Sequence, residues 1–238
     1  MRLPVVVVGA LVVAATSAQA GFTPVDLSSY VNGNVAFNPG TYPIGLGTGN
    51  KGTGIPFFIA QYPSGSGVEG TWLSNAQPGD SLTVDLTSYN ISGQASFYAL
   101  LNNYYGTPGA DEYDVTITAT NSDSVTYQSI GGVDTRDYNA NVFTNTIANT
   151  TTEWFNNGIG QRFDVREFTL PASFASETIA SFTITQVQPG DNALFSGLTF
   201  SDQPAVSFGP GVPEPLSLSL FGAGLAGLAL RRRRKKAG

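Results

Sequence analysis

The sequence predicts an all-β fold, a single β-sandwich domain with a jelly-roll-like arrangement of strands. Apolar and polar residues alternate one by one in several short stretches, which is the pattern of a half-buried strand. Residues 81–87 (Ser-Leu-Thr-Val-Asp-Leu-Thr) show this alternation clearly. Turn-forming residues separate such stretches at a spacing of roughly ten residues, as in sandwiches of short strands. No stretch of the body sustains the 3.6-residue period of an amphipathic helix.

The predicted strands follow one another along the chain. They are residues 56–62, 68–73, 81–87, 94–102, 113–119, 124–130, 162–170, 178–185 and 194–200. Turn signals rich in Gly, Pro, Asp and Ser lie between them, at residues 63–67, 78–80, 108–110, 131–132 and 189–191. The glycines of residues 40–54 predict a long loop. We therefore place the β-sandwich at residues 21–202 and a linker at 203–211.

The N-terminus carries the features of a secretory signal peptide, which we assign to residues 1–20. Arg2 is a short basic region, residues 3–15 are apolar, and Ala18 and Ala20 form the small-x-small pattern of a cleavage site. Cleavage after Ala20 would make Gly21 the first residue of the mature chain. This prediction implies export by the general secretion machinery and removal of the leader by signal peptidase.

The C-terminus has three parts in a fixed order. Pro213, Glu214 and Pro215 precede an apolar run, residues 216–230, and six consecutive basic residues follow at 231–236. As a helix the apolar run is about 22 Å long, which is short for a bilayer core of about 30 Å. The basic cluster directly behind it predicts a transmembrane helix whose C-terminal side stays in the cytoplasm.

These three parts resemble the PEP-CTERM sorting signal of exported bacterial proteins, here at residues 212–236. The resemblance implies processing at the Pro-Glu-Pro motif by an exosortase-type enzyme, after transient residence in the inner membrane. Proteins of this kind are associated with diderm bacteria that make extracellular polysaccharide. The resemblance covers about a tenth of the chain and implies destination and processing, with no activity for the body.

Charge and composition exclude several classes of function. The net charge of −6 for the whole chain hides a more acidic body, because seven of the eleven cations lie in the two end segments. The body keeps four cations against sixteen acids, a net charge of −12. Such a surface repels nucleic acid, so we expect no nucleic-acid partner. The chain has no histidine and no cysteine, which removes His-dependent triads and His/Cys metal sites.

One stretch has the composition of a calcium-binding loop. Asp134, Asp137, Asn139 and Asn141 place four oxygen-bearing side chains within eight residues, and Ca²⁺ prefers such ligands in flexible loops. The spacing does not match an EF-hand. The alternative is turn chemistry, in which Asp and Asn side chains bond nearby backbone groups. Ca²⁺ is the only cofactor that the sequence suggests.

A second stretch suggests glycan contact. Asn102, Asn103, Tyr104 and Tyr105 follow a predicted strand, where aromatic faces and amides would be available to sugar rings and hydroxyls. Core packing is the alternative for aromatic residues in any β-sandwich, and it is the better interpretation for Trp72 and Tyr98, which lie within predicted strands. A neutral glycan also tolerates an acidic surface.

Catalysis has little support from the sequence. A hydrolase using paired carboxylates needs no histidine, and Asp111, Glu112, Glu153 and Asp164 are candidates for such a pair. Serine hydrolysis lacks both its base and a Gly-x-Ser-x-Gly elbow. We therefore predict an exported, non-enzymatic protein of the cell surface or extracellular matrix that binds glycans, extracellular polysaccharide among them. The alternatives are a structural or adhesive surface protein without a small ligand, and a carboxylate-dependent hydrolase.

Overall fold

A computed structural model describes residues 21–34, 42–63, 65–140, 144–148, 150–205 and 208. The predicted signal peptide at residues 1–20, with Ala18 and Ala20, and the sorting signal at residues 212–236 lie outside the described residues, as does Asn141. Within the described ranges, no helix combines the length and the apolar character that a membrane crossing requires. The described part of the chain is all-β, as the sequence predicts.

Twelve strands and two short 3-10 helices make up the described secondary structure. The strands are β1 Phe22–Val25, β2 Gly45–Gly47, β3 Phe57–Ile59, β4 Trp72–Leu73, β5 Ser81–Asp85, β6 Ser96–Tyr104, β7 Asp111–Ala119, β8 Ser124–Ile130, β9 Thr151–Asn156, β10 Arg162–Thr169, β11 Ile179–Gln186 and β12 Asn192–Ser201. The 3-10 helices are Thr87–Tyr89 and Ala172–Ser176. All nine predicted strand regions contain a strand.

The strands form two larger antiparallel sheets and one small hairpin. The first sheet has the order β1-β12-β6-β10-β9, with β4 pairing to β12, and the second has the order β5-β11-β7-β8. The hairpin consists of β2 and β3. Connections between the two larger sheets cross repeatedly, so strands distant in sequence lie side by side. The jelly-roll connectivity stays a prediction.

One apolar core joins the two larger sheets. Phe97, Ala99 and Leu101 of β6 belong to it together with Phe182 and Ile184 of β11, and all five are buried. The rings of Phe97 and Phe168 stack at a centroid distance of 4.4 Å, and those of Phe182 and Phe195 stack at 4.7 Å. This arrangement explains the alternation in the sequence, because each sheet directs every second side chain into the shared core.

A second core covers the opposite face of the first sheet. Tyr98 and Leu100, the alternate residues of β6, pack there with Trp154 and with Phe57 of β3. The hairpin region is therefore packed, although its glycines predicted a loop. Gly49 lies so close to Trp154 that a Cβ atom would approach its carbonyl oxygen to 2.2 Å. Only glycine permits this contact, so the glycine-rich segment serves as a cover for the tryptophan.

The two chain ends of the body meet at one end of the first sheet. β1 pairs with β12 so that Phe22 lies opposite Ser201, and we call this the tail end. At the other end Tyr104 lies opposite Asn192, and we call this the distal end. With a rise of about 3.3 Å per residue, the ten-residue strand β12 separates the two ends by about 30 Å.

Candidate functional site at the distal end

The distal end brings together the side chains that the sequence singled out. Tyr104 ends β6, Tyr105 follows it, and the Asp134–Asn139 region follows β8. A parallel bridge between Asn103 and Asp137 joins these two segments. The turn before β12 contributes Asp191. Residues predicted separately as calcium and glycan sites are therefore neighbours.

Three tyrosines form a cluster here: Tyr104, Tyr105 and Tyr138. The rings of Tyr104 and Tyr105 meet edge to face at a centroid distance of 4.2 Å, and those of Tyr104 and Tyr138 stack at 5.2 Å. Tyr138 is buried, whereas Tyr105 is 42% exposed. A hydrogen bond with Tyr104 raises the pKa of the Tyr105 hydroxyl, which therefore stays protonated near neutral pH. The cluster therefore presents the ring of Tyr105 to solvent, with Tyr104 partly buried beside it.

The backbone of Tyr105 is held in an unfavourable conformation. Its φ is +83°, a region that non-glycine residues rarely adopt, and such strain costs on the order of 1 kcal/mol. Its N–H donates to Oδ2 of Asp137 at 2.8 Å, and Oδ1 of Asp137 accepts from the N–H of Asn139 at 2.7 Å. Burial raises the pKa of Asp137 against these hydrogen bonds. The Asp137 carboxylate thus holds the backbone of Tyr105 in this conformation.

The two predicted asparagines lie beneath this surface. Asn102 and Asn103 are buried. Asn102 exchanges two hydrogen bonds with Asp164, since its Nδ2 donates to Oδ2 at 2.8 Å and its Oδ1 accepts from the backbone N–H at 3.0 Å. Asn103 accepts a hydrogen bond from the hydroxyl of Thr135. Glycan contact by the four residues stays a prediction, and of the four Tyr105 is exposed. Tyr138, which is buried, supports the ring of Tyr104 from beneath, and only its place within the Asp- and Asn-rich stretch could have suggested it.

The predicted calcium ligands have other partners in the structure. Oδ2 of Asp134 accepts from the N–H of Ile130 at 3.1 Å, and its Oδ1 lies 3.3 Å from Nη2 of Arg166. Together with the two N–H groups bound by Asp137, these are the contacts of the turn alternative. In the described ranges no three acidic side chains group in a way that could hold a metal ion. Calcium binding by Asp134, Asp137, Asn139 and Asn141 stays a prediction.

An ion network centred on the buried Asp164 adjoins β6 through Asn102. Arg136 donates two hydrogen bonds of 2.7 Å to the fully buried Asp164 and a third of 3.1 Å to Glu153. Arg162 lies 3.9 Å from Asp164, and Lys51 lies 3.0 Å from Glu153. Burial raises the pKa of Asp164, and the hydrogen bonds from Arg136 oppose that rise. Through the contact of Arg136 with Asp164, the network joins the start of β10 to the segment that carries Asp137.

All four cations of the described residues are therefore engaged. Lys51, Arg136 and Arg162 belong to the network, and Arg166 pairs with Asp134. Arg166 also donates to Ser129 Oγ at 2.6 Å and lies over the ring of Phe168. Any further buried acid at this end has no cation of the described residues to neutralise it.

Glu112 and Asp191 form such an acidic pair under the loop that follows Tyr105. Oε1 of Glu112 accepts from the N–H of Thr107, and Oδ2 of Asp191 accepts from the Thr107 hydroxyl at 3.2 Å. Burial raises the pKa of Glu112 to about 8, and Asp191 adds to the rise. A Cβ atom at Gly131 would lie 2.4 Å from Oε1, so only glycine admits the Glu112 side chain here. This pair could not be predicted from sequence spacing, because the two acids are far apart along the chain.

The hydrolase candidates are distributed among these contacts. Asp111 accepts from Gln128 at 2.9 Å, Glu112 faces Asp191, and Glu153 and Asp164 share Arg136. The structure thus pairs Glu153 with Asp164 through a cation rather than across a cleft. Catalysis by any two of them stays a prediction.

Comparison with known protein families adds one finding. The family model of the PEP-CTERM protein-sorting motif matches residues 211–234. The chain carries a PEP-CTERM sorting motif. This confirms the resemblance of the tail, including Pro213, Glu214 and Pro215. No curated protein and no solved structure matches the chain.

The position of the PEP-CTERM motif shows which end of the body is joined to the sorting tail. The motif implies an exported protein made as a membrane-anchored precursor and processed by an exosortase-type enzyme. The motif begins at residue 211, nine residues after Asp202, and so it follows the tail end of the body. The tyrosine cluster lies at the end opposite to the attachment of the PEP-CTERM tail.

Proposed function

We propose that this chain is a protein of the cell surface or extracellular matrix whose jelly-roll-like body binds neutral glycans without catalysis. The signal peptide directs it through the secretion machinery, and the PEP-CTERM tail holds it in the inner membrane until an exosortase-type enzyme processes it. Extracellular polysaccharide is the partner at its destination. The distal end then faces away from the point of attachment.

The observation that carries the glycan proposal is the exposed ring of Tyr105 on a fixed backbone. A flat aromatic face packs against the C–H face of a sugar ring, and a neighbouring hydroxyl supplies a hydrogen bond. The Asp137 carboxylate accepts a hydrogen bond from the Tyr105 N–H at 2.8 Å and so orders, before any ligand binds, the backbone that carries the ring. A strained residue at an exposed position is also a common sign of function.

Electrostatics supports a neutral ligand. With four cations against sixteen acids, the body repels anionic polymers. The four cations are all engaged in ion pairs within the described residues, so none is available for an anionic sugar. A glycan that lacks charge meets no such barrier.

A glycan array with the full-length protein in detergent tests the proposal. Tyr105→Gly removes the ring while accepting the positive φ, so we expect the thermal midpoint to stay within a few degrees and glycan binding to fall at least tenfold. Val133→Ala is the matched control, because Val133 is 45% exposed and lies at the same end. Equal binding by wild type and Tyr105→Gly, or no retention on any neutral polysaccharide, contradicts the proposal.

A structural or adhesive role without a small ligand is the second candidate. Burial of Trp72, Trp154, Tyr98 and Tyr113 favours it, since these large aromatic side chains are used for packing. The two functions differ in one measurable way. An adhesive protein would bind surfaces or itself with no response to Tyr105→Gly.

Mass spectrometry of the exported protein tests the processing step. We expect the mature chain to begin at Gly21 and to end near Pro213, without the basic residues 231–236. An exported chain that retains those residues would mean a simple membrane anchor.

A further inference from the structure

The acidic pair Glu112–Asp191 is electrostatically incomplete. Glu112 is fully buried and Asp191 is 7% exposed. Oε1 of Glu112 is bound by the N–H of Thr107, whereas no N–H or hydroxyl of the described residues binds Oε2. Apart from Thr107, the side chain of Glu112 meets the carboxyl group of Asp191, with which it can share a proton. Two carboxylates in contact repel each other when both are ionised, unless a proton or a cation lies between them.

No side chain of the described residues supplies that cation. Arg136 and Arg162 are turned toward Asp164, and Arg166 toward Asp134. The ordinary protein solution to a buried acid, an ion pair, is therefore used for Asp164 and Asp134 but not for Glu112. Oε2 of Glu112, which no N–H or hydroxyl of the described residues binds, distinguishes this pair from the predicted ligands Asp134 and Asp137. The carboxylate oxygens of those two residues already have partners.

Besides the N–H of Thr107, the polar groups around the pair carry oxygen atoms that could bind a cation. Thr107 contributes its hydroxyl, which lies 3.2 Å from Oδ2 of Asp191, and Glu112 and Asp191 contribute their carboxylates. Ca²⁺ prefers hard oxygen ligands and accepts water among them. The two carboxylates are buried, and the exposed Thr107 is the side from which water reaches the pair. Mg²⁺ demands a stricter octahedral geometry and loses its water reluctantly.

We propose that Glu112, Asp191 and the hydroxyl of Thr107 form a Ca²⁺ site at the distal end. The ion neutralises both carboxylates and fastens Thr107, two residues beyond Tyr105. The site thus holds the loop at Thr107, after the exposed ring of Tyr105, while Asp137 holds it at the N–H of Tyr105 itself. Calcium binding stands apart from glycan binding, and each is measured without the other.

The test is thermal unfolding of the full-length protein in detergent, stripped with EDTA and titrated with CaCl₂ at pH 7.5. Extracellular modules bind Ca²⁺ with Kd values of about 0.1–1 mM. At a hundredfold excess over Kd we expect the midpoint to rise by roughly 5–10 °C. Equal concentrations of MgCl₂ are expected to give less than half of that rise.

Glu112→Gln and Asp191→Asn are expected to abolish the rise. Both variants remove one negative charge, so without Ca²⁺ they are expected to melt at or above the wild-type midpoint; this separates loss of the site from loss of the fold. Asp123→Asn, at an exposed turn, is the matched control and is expected to keep the full response.

Three outcomes overturn the proposal. The wild type fails to respond to Ca²⁺, which would mean that the pair shares a proton. The two variants respond like the wild type. The response is lost in Asp134→Asn instead, which would place the ion at the loop of residues 134–141. Glycan retention plays no part in this readout, so failure here leaves the glycan proposal standing.

Discussion

The two ends of the body bury different kinds of polar side chain. At the tail end the buried groups are hydroxyls: Ser96 donates to the carbonyl of Gln203 at 2.9 Å, and Ser201 Oγ accepts from the N–H of the same residue at 3.1 Å. At the distal end, neutral side chains such as Asn102 and Asn103 are joined by five charged ones: Asp164, Arg162, Glu112, Asp137 and Asp191. Neutral hydrogen bonds are cheap to bury, whereas charges require complete networks. The charged end is therefore the one whose geometry is specified in detail, and it carries the exposed tyrosine.

Among the changes that test this contrast, removal of the Asp164 charge should lower the free energy of unfolding most. Asp164→Asn leaves Arg136 and Arg162 buried without their common counter-charge, and we expect a loss of about 3–5 kcal/mol in the free energy of unfolding. Urea denaturation of the full-length protein in detergent measures it. Glu153→Gln is the control, because Glu153 is partly exposed, and we expect it to cost less than about 1 kcal/mol. A loss below 1 kcal/mol for Asp164→Asn would show that the network contributes little.

A smaller effect is expected at the tail end from a change of pH. Burial raises the pKa of Glu167, on β10, from 4.5 to about 7, and its Oε2 receives no hydrogen bond from a described residue. The raised pKa means that ionisation opposes folding. The Glu167 contribution is therefore fully favourable below pH 4.5 and is lost as the pH rises through 7.

Glu167→Gln isolates that contribution. The variant should gain stability relative to the wild type at pH 8 and match it more closely at pH 5, as measured by urea midpoints at both values. Glu112 titrates in an overlapping range, so only the difference between wild type and variant is diagnostic. A constant difference between pH 5 and pH 8 would refute the raised pKa.

The smallest effect belongs to a tail-end hydroxyl. Ser96→Ala removes the hydrogen bond to the Gln203 carbonyl, and we expect a loss of about 1 kcal/mol. The same urea experiment measures it. A loss as large as that of Asp164→Asn would erase the contrast between the two ends.

Much of the fold could be predicted because period-2 alternation records which face of a strand is buried. Even β6, which is buried on both faces, was found from its apolar run. Three strands were missed for local reasons. β1 adjoins the cleavage site, β2 is the glycine-rich Gly45–Gly47, and in β9 Trp154 and Phe155 are buried side by side, which breaks the alternation.

The site was less predictable than the fold. The segments around Tyr105 and Asp137 could be proposed from composition, but their contact through the Tyr105 N–H depends on how β6 and β8 end. The pairing of Glu112 with Asp191 joins two residues 79 positions apart. Sequence spacing carries no information about such a contact, because strand order in the sheets decides it.

The pairing of β12 has a mechanical consequence. A protein held at its tail and loaded at its distal end transmits tension along the strand axes. β12 continues directly into the linker and is hydrogen-bonded to β1 and β6 on its two sides, and it pairs with β6 from Asn192 to Ser201 with one register shift between Phe195 and Gly197. Pulling in this direction shears many hydrogen bonds at once rather than opening them one after another. We therefore expect the body to resist unfolding under tension applied between its two ends.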